Sequence, residues 1–231
     1  MRGKAKDPLP RPIPSPHQRR QRSEPVLKTL TALFYSMTID RALAGIRTRV
    51  PEFCGMKAGD RVLDVCCGTG AQAFCYARRG IVSWGIDLDS GMIEFAERRK
   101  RRLSLSSTSF QRASATHLPF RDSCFDHASI SMGLHEKKGT SRDRIVSEMQ
   151  RVVKKDGTLA IVDYRVPYPT DAHGRAIRLL EQMAGQDHYR CFQEFISDGG
   201  LGSLLSRHGL EEDNSEHVGR MPISILKVRN R

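Results

Sequence analysis

The chain has 231 residues, of which 39% are hydrophobic, and this is enough for one mid-sized domain with a buried core but hardly for two. No stretch approaches the roughly 18 uninterrupted apolar residues of a membrane span, and the N-terminus lacks the apolar segment of a secretory signal. We therefore expect a cytoplasmic protein. The six cysteines show no paired metal-ligand spacing, so we expect them to be reduced and mostly buried, and we expect no metal site.

The formal charge of +12 is concentrated in two places. Residues 1–25 carry seven Lys and Arg against two acids, and six of the eleven prolines, which predicts a disordered basic tail. The second place is Arg98–Arg102 at the end of a predicted helix, where a solvated helix terminus is favoured over a contact with a polyanion or a membrane surface. No separate nucleic-acid-binding module is visible, so we expect no nucleic-acid partner.

Taken in chain order, residues 26–56 are predicted to be helical, as a lid or as an extra packed helix, and 57–231 to form the core of a single domain. From residue 61, short β-branched runs alternate with helical periodicity, which is typical of a parallel sheet covered on both faces. The predicted elements are a strand "RVLDVC", a helix "AQAFCYARRG", a strand "IVSWGIDL", a helix N-capped by Ser90, and strands "TSFQRA" and "FDHASISM".

The second half of the chain begins with an amphipathic helix, "RDRIVSEMQRVVKK", whose apolar residues form one stripe. A fifth strand, "GTLAIVDY", follows a turn at 155–157. After Pro167 the pattern predicts two helical stretches, near 172–184 and 189–207, and then a terminal hairpin around a turn at 219–222. Phe192 and Phe195 have the helical spacing of core residues, which is favoured over a role in lining an acceptor pocket.

The glycine turn "DVCCGTGAQAF" follows the first strand, where ligands bind in doubly wound sheets. Gly68, Gly70 and Ala73 satisfy the pattern G-x-G-x-x-G/A, so an NAD(P)-dependent oxidoreductase has to be considered. Asp87 would accept ribose hydroxyls in either ligand class. Asp64 would repel a pyrophosphate but suits an ammonium or sulfonium group, the alternative being a buried acid that accepts backbone amides.

Several segments in order resemble the class I S-adenosylmethionine-dependent methyltransferases, in the branch of the ubiquinone and menaquinone biosynthesis enzymes. They are "VLDVCCGTG", "GIDLDSGMIEFAERR", "RASATHLPFRDSCFDHASISMGLHE" and "RIVSEMQRVVKKDGTLAIVDY". The resemblance runs from about Tyr35 to the C-terminus. It implies an α/β, Rossmann-like, seven-stranded sheet of order 3-2-1-4-5-7-6, with strand 7 antiparallel and helices on both faces.

The resemblance also implies a set of residues that bind S-adenosyl-L-methionine. They are Asp64, Gly68 and Gly70 for the methionine part, Asp87 for the ribose, Leu88 and Met92 against the adenine, Ser114 and Ala115 beside its amine, Ser131 at the methionine end, and Tyr35 closing over it. Three positions depart from the family pattern. Cys66 replaces a glycine and tightens the pocket, Ser114 replaces a carboxylate, and Ser36 replaces an aspartate.

The acceptor side is expected to involve His135, which follows the fourth strand at the mouth of the predicted cleft. An imidazole there could act as a base, the alternative being a capping or supporting residue beside Glu136. His117 is expected in the wall near the adenine. The resemblance implies a small-molecule, quinone or lipid acceptor, and the basic tail suggests peripheral contact with an anionic membrane. A methyltransferase-like domain that binds without turnover is a further alternative.

Overall fold

The computed structural model describes residues 39–219 and 221–231. The predicted basic tail, residues 26–38 of the predicted lid, and the candidate residues Tyr35 and Ser36 lie outside the described residues. The described part contains one seven-stranded sheet. Its strands are β1 Arg61–Val65, β2 Val82–Asp87, β3 Thr108–Arg112, β4 Phe125–Ser131, β5 Val153–Tyr164, β6 Glu212–His217 and β7 Ile223–Arg229.

The strand order is β3-β2-β1-β4-β5-β7-β6, so the predicted topology is confirmed. The pairs from β3 to β5 are parallel, whereas β7 is antiparallel to both β5 and β6. β6 and β7 form the predicted terminal hairpin. This order places the carboxyl ends of β1 and β4 side by side, with Asp64 opposite Ser129, and it thereby positions the candidate site.

Seven helices are described around the sheet. They are α1 Ala44–Phe53, α2 Ala71–Ala77, α3 Ser90–Leu103, α4 Gly139–Val152, α5 Ala172–Met183, α6 Gln186–Ser197 and α7 Gly200–Arg207. The prediction of one helical stretch near 189–207 is wrong in one respect, because the chain forms two helices there, α6 and α7. Gly199 and Gly200 both have positive φ, 88° and 61°, and this backbone conformation interrupts the helix.

The core lies between the sheet and its helices. β1 reads as an almost unbroken apolar run because both of its faces are covered, and Val62, Leu63 and Val65 are fully buried. The predicted stripe of α4 faces this core, with Ile145 and Met149 among its buried residues. Phe192 and Phe195 are also buried in the core, as their spacing predicted.

The helix α3 begins one residue earlier than the sequence indicated. Asp89, not Ser90, is the N-cap residue, and its carboxylate accepts hydrogen bonds from the backbone N–H groups of Gly91 (2.6 Å) and Met92 (3.3 Å). A carboxylate can accept from two of the unpaired N–H groups of the first turn, and its charge is favourable at the positive end of the helix dipole. Ser90 is therefore the first residue of the helix proper.

The described part of the predicted lid packs on the body of the domain. Ile46 and Val50 of α1 are buried in the core. Just before α1, the buried carboxylate of Asp40 accepts a hydrogen bond of 2.6 Å from Thr69 Oγ1 in the glycine turn and forms an ion pair with Arg47. This part of the chain is thus joined to the turn that forms the candidate site.

Two further observations concern surfaces. Arg98–Arg102 lies in the last turns of α3, and within it Arg99 pairs with Asp40 and lies over the ring of Phe74. Arg99 therefore makes contacts within the domain and is not simply a solvated charge.

Among the described residues, no helix combines the length and the apolar composition that crossing a membrane requires.

Candidate active site

The turn between β1 and α2 has a backbone conformation that few side chains adopt. Cys66 and Gly68 have positive φ values of 56° and 51°. The Gly68 N–H donates a hydrogen bond of 2.8 Å to Asp87 Oδ2 at the end of β2, which joins the two strand ends. A Cβ atom on Gly68 would meet no atom within 4 Å, so the turn leaves open space at this point. A ligand could approach the backbone here.

Gly70 is needed for a different reason. It is the N-cap residue of α2 with φ 75°, and a Cβ atom there would lie 2.5 Å from the ring of Phe110 on β3. The absence of a side chain therefore allows the helix to pack closely on the sheet. The contact between Gly70 and a cofactor that the sequence resemblance implies stays a prediction.

Asp64 is the buried acid of the site, with 1% of its surface exposed. Its Oδ1 accepts a hydrogen bond of 2.9 Å from Ser129 Oγ, whereas its Oδ2 is buried without a hydrogen-bond partner. Burial raises the pKa of this carboxyl from 3.8 to about 7, although the bond from Ser129 opposes the rise. A buried carboxylate with one oxygen that accepts no hydrogen bond suits a cationic partner. A backbone hydrogen bond from Ala73 also acts to lower its pKa, as in the alternative role of a buried acid that accepts backbone amides, so the contact with a cofactor stays a prediction.

A cavity of about 280 Å³ opens at the ends of these strands. Five of the predicted residues line it, namely Cys66, Asp87, Leu88, Ser114 and Ala115. Asp87 accepts hydrogen bonds from the N–H groups of Gly68 and Asp89, and burial raises its pKa. Six lining residues were not predicted, namely Ile86, Ala113, Thr116, Lys137, Ser141 and Ile145.

The other predicted residues are distributed around this cavity in different ways. Ser131 lies at the end of β4, and its Oγ is buried without a hydrogen-bond partner. Met92 is half-buried on α3 and does not line the cavity, and its contact with an adenine stays a prediction. His117 is exposed and does not line the cavity either, so its predicted place in the wall is wrong. The chain turns at 115–116, and His117 follows this turn on the exposed surface.

His135 does not lie at the mouth of the cleft as predicted but is buried, with 3% of its surface exposed. Its Nδ1 donates to Asp163 Oδ1 at 2.7 Å, and Asp163 also accepts from the N–H groups of Leu134 and His135. Burial acts to lower the pKa of His135, but the charge and hydrogen bond of Asp163 outweigh it, so the pKa is raised. A raised pKa leaves more of the imidazole already protonated near neutral pH, and a protonated ring cannot accept a proton. The base role stays a prediction.

Helices α5 and α6 cover this histidine. Glu181 of α5 and His188 of α6 lie beside it, and rings of Tyr164 and Phe192 contact it edge-on. The Tyr164 hydroxyl donates to Glu181 Oε1 at 2.6 Å. Glu181 and His188 were not predicted from the sequence, because they come from a segment far along the chain without a local motif of their own.

Comparisons with known proteins agree with this geometry. Residues 63–161 match the family model described as a methyltransferase domain. The structure of an S-adenosylmethionine-dependent methyltransferase from Aquifex aeolicus superimposes with a TM-score of 0.66 at 18% identity, over 91% of this chain and all of that one, which shows the fold. A 2-phytyl-1,4-naphtoquinone methyltransferase from Nostoc sp. is 31% identical over 185 residues, covering 77% of this chain and 72% of the relative. The chain belongs to the class I S-adenosylmethionine-dependent methyltransferases.

Other relatives of this methyltransferase are consistent with that membership. A demethylmenaquinone methyltransferase from Lactobacillus johnsonii is 33% identical over 116 residues, about half of each chain. A phosphoethanolamine N-methyltransferase from Haemonchus contortus, solved with S-adenosyl-L-methionine, shares the fold at 21% identity and a TM-score of 0.57, over 75% of this chain and 38% of that one. The predicted enzyme class and cofactor are confirmed, and the oxidoreductase alternative is set aside.

The residues present fit this cofactor. S-adenosyl-L-methionine carries an ammonium group and a positive sulfur, and the site offers two buried oxygens without partners, Asp64 Oδ2 and Ser131 Oγ. It also offers the open side of Gly68 and the cavity beside Asp87. Cys66 lies in the lining of this cavity, so the thiol that replaces a glycine of the family reduces the space available to the ligand.

Proposed function

We propose that this methyltransferase methylates a reduced quinone, an aromatic acceptor that carries hydroxyl groups. The observation that carries the proposal is the 31% identity to the phytyl-naphthoquinone enzyme over 185 residues, a longer stretch than the matched methyltransferase domain at residues 63–161. A family model alone would not distinguish acceptors, because one fold serves many substrates. Helix α6 contributes the half-buried ring of Tyr189, which stacks on the buried Phe192 and suits a flat apolar acceptor.

In this proposal the residues at the strand ends hold the cofactor. Asp64 and Ser131 bind the methionine part, Asp87 binds the ribose hydroxyls, and the segment 113–116 lies against the adenine. Bound there, the cofactor supplies an electrophilic methyl group on a positive sulfur. The protein's own contribution is to align the acceptor with that methyl group and to exclude water.

His135 is the residue that we expect to activate the acceptor hydroxyl. It follows β4, beside the end of the strand that carries Ser131, and Asp163 holds its ring in one orientation. Activation of the hydroxyl makes the ring carbon or the oxygen of a quinol more nucleophilic. Because Nε2 of His135 faces Glu181 and not the cofactor cavity, the acceptor would have to enter from the side of α5 and α6.

The experiment is a radiolabelled methyl transfer assay with a soluble short-chain naphthoquinol, phosphoethanolamine and bulk cell RNA as acceptors. We expect label in the naphthoquinol only, and a His135→Ala variant to be slower by a factor of about 100 or more. His208→Ala is the matched control, because His208 pairs with Asp143 and neither residue lines the cofactor cavity, and its rate should be unchanged. Label in phosphoethanolamine or RNA but not in the quinol would overturn the proposal.

We further propose peripheral contact with an anionic membrane through α5. Leu179, Leu180 and Met183 are 57%, 62% and 75% exposed on this helix, and the exposed Arg175 lies on it too. An exposed apolar group beside a cation is the combination that inserts into an interface between lipid and water. The contact would bring the enzyme to an acceptor dissolved in the membrane.

Sedimentation with vesicles of phosphatidylglycerol and phosphatidylcholine tests this contact. Replacing Leu180 and Met183 together with Glu should lower the bound fraction by about 10-fold or more, since the apolar area that would be buried is lost. The control is Leu180→Met with Met183→Leu, which keeps the apolar area. Equal binding of the acidic variant and the control would contradict the role of α5.

A further inference from the structure

Three side chains with metal-ligating atoms converge next to the cofactor cavity. They are His135 in the loop after β4, Glu181 on α5 and His188 on α6, and one potential ligand atom of each lies within 4.8 Å of the other two. Among the residues that the structure describes, this is the only such group of three. The set of two imidazoles and one carboxylate is a common donor set for Zn²⁺ and Fe²⁺ in enzymes.

The two imidazoles are arranged alike. Nδ1 of His135 lies 2.7 Å from Asp163 Oδ1, and Nδ1 of His188 lies 3.7 Å from Glu136 Oε2. Their other nitrogens face one atom, Glu181 Oε2, at 3.6 Å and 2.5 Å. Histidines that bind metals usually have a carboxylate hydrogen-bonded to one ring nitrogen, which orients the other nitrogen toward the ion. Asp163 meets this condition for His135, whereas Glu136 lies beyond hydrogen-bond distance of His188.

Glu181 is oriented in the same way. Its Oε1 accepts the hydrogen bond from the Tyr164 hydroxyl, which leaves Oε2 directed at the two imidazoles. The side chains of His135, Glu181 and His188 are 4%, 12% and 24% exposed. The side closed by Asp163 and Tyr164 is buried, and the remaining exposure lies at His188, which would leave a coordination position for solvent or for an acceptor.

The charges near this group also favour a cation. Three carboxylates, those of Glu136, Asp163 and Glu181, lie within 4 Å of the two imidazoles. Lys137 pairs with Glu136 and compensates one of them. Asp163 and Glu181 are largely withdrawn from water, and buried carboxylates are stabilised by a nearby cation.

From this geometry we propose that His135, Glu181 and His188 form a binding site for a divalent transition-metal ion, with Zn²⁺ as its first candidate. For ligands at about 2.1 Å in a tetrahedral site, neighbouring ligand atoms are about 3.4 Å apart. The distance of 3.6 Å between His135 Nε2 and Glu181 Oε2 already matches this value. His188 needs to move away from Glu181 by about 1 Å, which a side-chain rotation provides.

The sequence indicated no metal site, because the ligands are separated by 46 and 53 residues and only the packing of α5 and α6 brings them together. The site itself is independent of the acceptor. Its use in catalysis rests on the proposed function: an acceptor oxygen bound to the ion would have a lowered pKa. His135 would then be a ligand, and the ion would take over the part that the sequence analysis gave to a free imidazole base.

The test is calorimetric titration of the full-length, chelator-treated protein with ZnCl₂, without acceptor, together with the visible absorption of the Co²⁺ form. We expect one equivalent to bind, with Co²⁺ bands in the visible range and no intense thiolate charge-transfer band in the near ultraviolet. That band would reveal binding by cysteines instead, and it would overturn the site. No binding at 100-fold molar excess would overturn it as well.

Variants locate the ion. His188→Gln and Glu181→Gln should each lower the affinity for Zn²⁺ by about 100-fold, and Asp163→Asn by about 10- to 100-fold through the orientation of His135. His208→Gln is the matched control, whose affinity should equal that of the parent protein. Unchanged cofactor binding by His188→Gln will show that the variant is folded. If that folded variant binds Zn²⁺ as tightly as the parent protein, the assignment is refuted, whatever the acceptor assay shows.

Discussion

Replacing Asp64 with Asn tests how the cofactor side of the site is built. Asp64 is 1% exposed and has one oxygen without a partner, and burial raises its pKa from 3.8 to about 7. Because the pKa of the folded state lies above that of the unfolded state, the folded protein binds more protons between these two values. The contribution of Asp64 to stability therefore decreases as the pH rises through this window.

The size of the effect follows from the two pKa values. The interval from 3.8 to about 7, at about 1.4 kcal/mol per pKa unit, corresponds to roughly 4 kcal/mol. Asn has a similar shape and cannot ionise. The variant therefore does not lose this stability as the pH rises from 3.8 to about 7. We expect the stability of Asp64→Asn, relative to the parent protein, to increase steadily from pH 5 to pH 7 and to level off near pH 8.

Urea unfolding at pH 5, 6, 7 and 8, followed by fluorescence, measures this difference. Trp84 is the single tryptophan and is buried in β2, so its emission reports on the fold. Asp187→Asn is the control, since that side chain is 95% exposed and should show no such trend. A stability difference between Asp64→Asn and the parent protein that does not change with pH would refute the reasoning.

The same variant should bind the cofactor less well. At pH 8 the carboxylate of Asp64 is mostly ionised and can pair with the ammonium group of S-adenosylhomocysteine, whereas Asn offers only a neutral oxygen. We expect a loss of affinity of about 10-fold or more by calorimetry, since a charged partner strengthens such a bond by more than about 1 kcal/mol. Greater stability together with weaker binding would indicate that Asp64 is retained for the ligand.

Three further substitutions give separate predictions. Cys66→Gly should stabilise the protein by up to about 1 kcal/mol in urea unfolding, because Cys66 has a left-handed backbone conformation that glycine adopts without strain. It should also tighten cofactor binding, because it removes a side chain from the cavity lining. Gly85→Ala should cost about 1–3 kcal/mol in the same assay, since its Cβ would lie 2.5 Å from the ring of Phe110. Arg142→Met should lower the unfolding free energy by about 3 kcal/mol, because the carbonyls of Lys137 and Cys191 lose their donor.

Much of the fold was predictable because its signals are local. β-branched runs predicted the central strands, and the apolar stripe with Ile145 and Met149 predicted which side of α4 is buried. The interruption between α6 and α7 was missed, because nothing in the periodicity shows that Gly199 and Gly200 adopt positive φ. The choice between Asp89 and Ser90 as the N-cap was also missed, since both residue types cap helices well.

The cofactor side of the site was predictable for the same reason. Most of its residues lie at the ends of β1 and β2 and in the turns after them, where a short motif contains both the strand end and the loop, and the others lie after β3 and at the end of β4. Lys137 and Ser141 also line the cavity, but they come from the loop after β4 and from α4, which only the sheet order brings there. Nothing in the sequence spacing indicates that Lys137 and Ser141 lie near the glycine turn.

The two sides of the site are thus built independently. The cofactor side depends on the ends of β1, β2 and β4, which the sheet holds rigidly in register. In the proposed function the acceptor side depends on how α5 and α6 pack beside the end of β5, where Phe192 contacts both Tyr164 and His135. Because no residue of α5 or α6 lines the cofactor cavity, we expect changes in these helices to alter the acceptor while the glycine turn continues to bind the same cofactor. This separation explains how relatives with one cofactor fold can act on different acceptors.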